Sequence, residues 1–370
     1  MGFKRMKEVG VIGLMSGTSL DGLDLCYCVF KKVNAQWIIM EIITKDVPYS
    51  DQWKNLLKNA FFMDEVDLKK LHEAYGVYLG QEVNLFRDEF LQGKSISLIS
   101  SHGHTIYHQP EKGVTVQIGD GNKIAKETGL LVVNDFRIGD VKLGGQGAPL
   151  VPIGDELLFS EYAACLNLGG IANISFRYNN QRIAYDICPC NLPLNKLMSE
   201  YYNLDFDENG ATANTGKIIP ELLSSLNDLN YYKKTFPKSL GVEWLNEHFY
   251  PTLEPYLVQK SQLTNVLRTI VEHEANQIAN TLNFYQIKNV LVTGGGAFND
   301  LLINSIKDKT NSEIVLPSQQ IITSKEALIF AFLGLLNVRD EVNILKSVTG
   351  AIRDSVGGVR CYHQIVQNFI

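Results

Sequence analysis

Three turns of this chain are built largely from residues that grip anions. The first, "GLMSGTSLDGLD" over Gly13–Asp24, lies between the apolar runs "KEVGVI" and "LCYCVF". The second, Gly169 and Gly170, interrupts "LNLGGIANIS", and the third, Gly294–Gly296, follows "NVLVT". Glycine lets main-chain N–H groups approach an anion closely, and Ser and Thr hydroxyls add donors. One such turn alone is usually a tight chain reversal. Three of them, two in corresponding halves of the chain, predict phosphates held between two domains. None is a Walker loop, because "GLMSGTS" lacks the lysine of G-x-x-x-x-G-K-[ST]. "GGGAFN" lacks the spacing and the βαβ setting of a dinucleotide fingerprint.

One carboxylate is placed to act on what those turns hold. Asp186 ends a strand-like run, "RIAYDICPC", downstream of the second turn, and is the conspicuous general-base candidate at a glycine-flanked site. A rival constellation is "HGHTIYH", with His102, His104 and His108. A zinc hydrolase would use such a set to activate water. The only nearby acid is Glu111, beyond the cluster, so a catalytic metal here is not expected.

The elements that must position these groups follow from the apolar pattern. "VGVIGLM", "LDLCYCVF" and "AQWIIMEIITKDV" read as an antiparallel meander. Residues 51–62 and 67–91 read as helical, the second with Leu68, Leu71, Tyr75, Tyr78 and Leu79 on one stripe. Further strands are expected at "SISLIS", "TVQIGD" and "LLVVNDF". After the glycine-rich "KLGGQGAPLVP" the opening pattern returns: strand, glycine turn and strand in "AACLNLGGIANISFRY", then "RIAYDICPC". The repetition is of pattern, not identity, and predicts two copies of one sheet-based unit. Residues 262–284 form a long helix and residues 324–337 a strongly apolar one, whereas Asn203–Lys217 reads as a mobile loop.

Composition sets the frame. A chain of 370 residues with net charge −6, 45% hydrophobic and 20% charged, is an ordinary globular protein rather than a general nucleic-acid binder. Its length favours two domains, placed at residues 1–140 and 141–370, with the C-terminal tail free to return to the first. No apolar stretch is expected to span a membrane, and the start of the chain reads as a strand rather than a signal peptide. Six cysteines, Cys26, Cys28, Cys165 and Cys188 in or beside apolar runs, read as buried free thiols in a reducing cytoplasm.

The blocks "GLMSGTSLDGLD", "SHGHT", "QIGD", "NDFR", "GGQGAPLVP", "LNLGGIANIS", "TGGGAFN" and "KEALIFAFLG" resemble, in order and spacing, the anhydro-N-acetylmuramic acid kinase family, over about residues 9 to 335. The resemblance implies an α/β fold of two related actin-like (ribonuclease H-like) domains. Each would have a mixed five-stranded sheet with flanking helices, and ATP would sit in the cleft between them. It implies an ATP contact at Gly17, Thr18, Ser19, Leu20, Asp21, Gly22, Leu23 and Asp24, at Gly169 and Gly170, and at Gly294, Gly295 and Gly296. The family's catalytic motif, D-T-G-P-G-N, reads here Asp186-Ile187-Cys188-Pro189-Cys190-Asn191, and a further aspartate is replaced by Asn195. The base is kept and its cradle altered, since cysteine in place of glycine adds a Cβ and disfavours positive φ. The position of His104 is usually Gln in the family, which also argues against zinc.

Asp186 would then take a proton from water attacking C1 of a 1,6-anhydro-sugar, and the freed O6 would attack the γ-phosphate. Such a base can work with an ordinary carboxylate pKa. Mg²⁺ would neutralise the phosphates, with Asp21 its expected ligand. Asn191, Arg137, Gln146 and Glu326 are the expected sugar contacts, although Glu326 could instead serve only the first turn of its helix. The alternatives are a kinase for another anhydro-sugar, or a nucleotide-binding interaction protein of the same fold with lost kinase activity. ATP and a small sugar are the expected partners, without nucleic acid or membrane, in a homodimer.

Overall fold

The first three apolar runs, rich in β-branched and aromatic residues, fold as strands, the first of them buried almost throughout. In the computed structural model, which describes residues 3–17 and 20–362, they are β1 (Glu8–Ser16), β2 (Gly22–Val33) and β3 (Gln36–Pro48). Thr18 and Ser19 lie outside the described residues. The remaining strands are β4 (Leu98–Gln109), β5 (Val114–Ile118), β6 (Val132–Asn134), β7 (Ala164–Leu168), β8 (Ile171–Tyr178), β9 (Gln181–Pro189), β10 (Asn289–Thr293), β11 (Glu313–Val315) and β12 (Val359–Cys361).

The duplication is explicit in the topology. One sheet contains the order β3-β2-β1-β4-β6, the other β9-β8-β7-β10-β11. In each, the first three strands form an antiparallel meander and the last two run parallel to the central strand. Two such sheets of matching order and direction are the repeated unit of an actin-like fold. The family resemblance implies five strands in each. The first sheet has seven, because β5 folds back on the end of β4 and β12 pairs with β6.

By its contacts the chain forms two units, Met1–Leu158 with Ser324–Ile370, and Phe159–Thr323. The sequence pattern places the boundary at residue 140, but Asp140 and the residues after it pack with the C-terminal segment. The Asp140 carboxylate accepts from Gly147 N–H and from the Thr349 hydroxyl, each at 2.8 Å. The second unit ends inside the helix Gln319–Val338.

In the first unit the helix Glu65–Phe90 begins at Asp64, whose side chain accepts from Asp67 N–H. It buries Leu71, Tyr75, Leu79, Val83 and Phe86 on one stripe. Gln319–Val338 is long and apolar enough by composition to cross a membrane, but it is mostly buried within the fold. Gly13 on β1 accommodates it, since a Cβ there would lie 2.0 Å from Ala327 O. In the second unit the helix Leu263–Phe284 lays Val266, Ile270, Ile278 and Leu282 into a core with β7, β8 and β9. Residues 203–217, expected as a mobile loop, carry the short helix Ala211–Asn214. Its N-terminal amides, on Thr212 and Ala213, are bound by the buried Asp207 carboxylate.

Candidate active site

In the second unit three of the expected groups meet in one corner. β7 leads into Gly169–Gly170, and the main-chain N–H groups of Cys190, Asn191 and Leu192 donate back to the carbonyls of those two glycines. This fixes the start of the helix Asn191–Tyr202 against the turn. The Asn191 side chain donates to Leu168 O at 2.9 Å. Gly294–Gly296 lies against the same corner. Gly294 has φ 86°, and a Cβ there would meet Asn167 Oδ1 at 2.6 Å and Leu168 C at 2.8 Å. Such closeness and positive φ admit only glycine. The two turns therefore present main-chain groups side by side, braced by Asn167, Leu168 and Asn191.

Asp186 sits on β9, opposite Asn173 of β8, at a bulge that shifts the register by one residue. A bulge re-aims side chains. The Asp186 carboxylate accepts from Leu240 N–H at 2.8 Å, and its carbonyl accepts from the Tyr231 hydroxyl at 2.6 Å. Burial raises its pKa above the ordinary 3.8, opposed by the Leu240 hydrogen bond and by Lys238. An ordinary pKa is expected from sequence; the fold makes Asp186 a stronger base because part of its hydration is lost.

The altered cradle is resolved by burial. Cys188 and Cys190 are both wholly buried and belong to the core of this unit. Cys190 has φ −135°, outside the left-handed region that favours glycine. Burial pushes both thiols well above their usual range, with the Glu274 carboxylate adding to the effect. Glu274 itself is fully buried and neither of its oxygens has a hydrogen-bond partner.

In the first unit β1 ends at Ser16 and β2 begins at Gly22, so Gly22, Leu23 and Asp24 of the expected turn lie on a strand. Leu20 adopts φ 61°, a conformation rare for a branched side chain. Asp24 pairs across β1 with Met15 and across β3 with Asp46. Burial first, then the carboxylates of Asp46, Glu326 and Asp21, push Asp24 up to about 7. Beneath the turn a hydrogen-bonded chain runs from Tyr75 through Tyr49 and Ser16 to His104, with the Tyr49–Ser16 contact at 2.6 Å and Ser16–His104 at 2.8 Å.

Arg137 and Glu326 are also close in this unit. Burial lowers Arg137 to about 10, and Glu326 counteracts this. Burial likewise raises Glu326, while Arg137 and Lys325 oppose the rise. Arg137 donates to Gly147 O at 2.7 Å and to His102 Nε2 at 2.9 and 3.1 Å, leaving two of its N–H groups for a ligand. Gln146 is exposed on the neighbouring loop. The histidines expected not to hold zinc are engaged elsewhere: His102 with Arg137 and Gly103 O, His104 with Ser16, His108 with Thr115. Among the described residues no group of three His, Cys, Asp or Glu side chains is arranged to hold a metal ion.

The sequence reading missed Asp46, Ser16, Tyr49, Tyr75, Tyr231 and Leu240. Asp46 could have been found from the meander, since strand pairing brings it opposite Asp24. The others act through contacts distant in sequence.

The family model described as anhydro-N-acetylmuramic acid kinase matches residues 9–363. A relative of that name from Hydrogenovibrio crunogenus is 32% identical, covering 94% of this chain and 96% of its own length. Another, from Actinobacillus pleuropneumoniae, is 34% identical over 92% of this chain and 95% of its own. Among solved structures, a ROK family glucokinase from Streptomyces griseus in complex with glucose and AMPPNP gives a TM-score of 0.40 at 11% identity, covering 88% of this chain and 99% of that one.

Proposed function

The chain belongs to the anhydro-N-acetylmuramic acid kinase family, and from that premise we propose that it is an ATP-dependent sugar kinase acting on 1,6-anhydro-N-acetylmuramic acid. It would open the anhydro ring and phosphorylate O6 in one event, in the recycling of cell-wall amino sugars. The observation that carries this reading within the fold is Asp186, a half-buried carboxylate held by Leu240 N–H on the strand beside two apposed glycine turns.

Asp186 accepts a proton from water as the water oxygen bonds to C1. The C1–O6 bond breaks, O6 bonds to the γ-phosphorus, and the bond from phosphorus to the ADP oxygen breaks. The proton then passes from Asp186 to solvent. A raised pKa strengthens the base that this step needs. Main-chain donors at Gly169, Gly170 and Gly294–Gly296 serve the nucleotide, as does the turn Gly17–Asp24. Thr18 and Ser19 share in this assignment, though they lie outside the described residues. Arg137, with two N–H groups to spare, takes the sugar's carboxylate, and Glu326 and Gln146 take hydroxyl or amide groups. Asn191 braces the Gly169–Gly170 turn through Leu168.

A divalent cation would suit the carboxylates of the first unit, because burial first, and then the neighbouring Asp46, Glu326 and Asp21, hold Asp24 up to about 7. Oxygen donors of this kind would suit Mg²⁺, and Asp21 is the residue that would hold it. Mg²⁺ supplies charge neutralisation on the transferring phosphate. Six buried free cysteines suit a reducing cytoplasm.

The test is the reaction in ¹⁸O-labelled water, with the product analysed before mutarotation. One label is expected at C1 and none in the bond between O6 and phosphorus. Label at phosphate, or faster turnover on the open-ring sugar, would reject the coupled reaction.

A further inference from the structure

The second unit contains a cavity of about 560 Å³ that none of these roles uses. It lies between the helix Leu263–Phe284 and the segment that follows Tyr231. Lys233, Lys234 and Lys238 all line it, and no aspartate or glutamate does. Among the described residues none of the three ammonium groups has a carboxylate partner within ion-pair distance. Lys238 also faces the Asp186 carboxylate, whereas among the described residues Lys233 and Lys234 have no anion of the fold beside them, which fits an anion supplied from outside.

The wall behind them is a connected set of polar side chains. His273 is fully buried, and burial holds it neutral by lowering its pKa to about 3. Its Nε2 bonds the Tyr232 hydroxyl at 2.8 Å, and its Nδ1 bonds Asn227 Oδ1 at 2.7 Å. Gln277 donates to that same Oδ1 at 2.9 Å. Asn227, with its oxygen occupied from within, also lines the cavity. Tyr185 and Phe236, stacked at 12° between ring planes, add an apolar side of the kind that covers a sugar's C–H face.

We propose that this cavity is an effector site for a phosphorylated hexose, coupled to Asp186. The phosphate meets the lysines, and the ring meets the aromatic side. The coupling runs through one short segment. Lys238, lying over the rings of Tyr231 at 4.5 Å and Tyr185 at 5.6 Å, reaches the cavity through its side chain. Its carbonyl accepts from Asp186 N–H at 3.4 Å, and Leu240 N–H holds the Asp186 carboxylate. A ligand that moves this segment therefore moves the base. The coupling rests on the kinase reading, whereas the binding does not.

The probe is N-acetylglucosamine 6-phosphate, titrated calorimetrically into the full chain with inorganic phosphate as reference. Saturable binding is expected to survive Asp186→Asn and a saturating non-hydrolysable ATP analogue. In Lys233→Ala/Lys234→Ala it should weaken about tenfold or more, through loss of charge-assisted contacts. Absence of binding, displacement by the ATP analogue, or equal binding in the double variant would overturn the site. In the kinase assay the probe should change kcat about fivefold or more at constant KM for ATP, and the double variant should keep unliganded turnover but lose the response. Binding without any change in kcat would overturn the coupling. Absence of kinase activity in the unliganded protein would refute the kinase reading and the coupling, while the calorimetry still decides the site.

Discussion

The main-chain N–H of Leu240 donates to the carboxylate of Asp186 at 2.8 Å, across a separation of 54 residues. This bond favours the charged carboxylate, while burial favours the protonated one and has the larger effect. The acid limb of kcat/KM should therefore lie above the ordinary aspartate value of 3.8, because the base works only when deprotonated. Leu240→Pro deletes the donor and should move the limb to higher pH, read from a pH–rate profile. A limb that stays in place would remove this bond from the tuning of the base.

Asp186→Asn keeps the size of the side chain but cannot accept the proton. Sugar phosphorylation should fall by about 100-fold or more, with ATP affinity unchanged in a direct binding measurement. A variant retaining a tenth of wild-type turnover would mean that another group is the base.

Gly294→Ala places a Cβ within 2.8 Å of Leu168 and forces positive φ on alanine. The strain is on the order of 1–3 kcal/mol. Thermal unfolding should shift down accordingly, and the folded fraction should bind ATP more weakly than the wild type. Unchanged nucleotide affinity would take this turn out of the ATP site.

Glu274 offers a prediction in the opposite direction. Its carboxyl is buried with no hydrogen-bond partner and its pKa is raised well above 4.5 by burial. The folded state then holds the proton more tightly than the unfolded state, so this residue's contribution is favourable below the unfolded pKa. It is lost as pH rises towards the folded pKa. Glu274→Met should stabilise the protein by about 1–3 kcal/mol at pH 8 and by less at pH 5. Denaturation at the two pH values checks the sign, and equal gains at both would contradict it.

Cys188 and Cys190 replace two glycines of the family motif, yet both thiols point into a core rather than into solvent. Cys188→Gly/Cys190→Gly should lower stability by about 1–3 kcal/mol through lost packing, while leaving the preference among anhydro-sugars unchanged. Thiol reagents should react slowly with the folded chain whether or not sugar is present. Protection that appears only with sugar would put a cysteine in the pocket.

Much of the fold was legible because its signals are local. The meander, the returning strand–glycine–strand pattern and the long helices depend on periodicity over a few residues. For the site, the glycine turns and Asp186 are local as well, being defined by residue type at a strand end. What sequence did not reveal depends on distant partners. Tyr49 reaches Ser16 across 33 residues and Tyr231 reaches Asp186 across 45. No tyrosine declares such a partner in its own neighbourhood. The Cys188 and Cys190 substitutions looked like changes to a binding pocket because the sequence carries no information about which way a side chain faces beyond a bulge. Residues 203–217 read as a loop because a single buried aspartate, Asp207, organises the short helix there.

The pairing of β12 with β6 has a consequence for the order in which the protein is made. The first unit contains both ends of the described chain, whereas the second is one uninterrupted segment, Phe159–Thr323. The ribosome therefore releases everything the second unit needs before the first can close its sheet. The inserted segment is the natural first folder, and the leading residues must wait, incompletely paired, for the last strand to emerge. Cutting the gene between the two units as they follow in sequence would yield one viable fragment and two orphans.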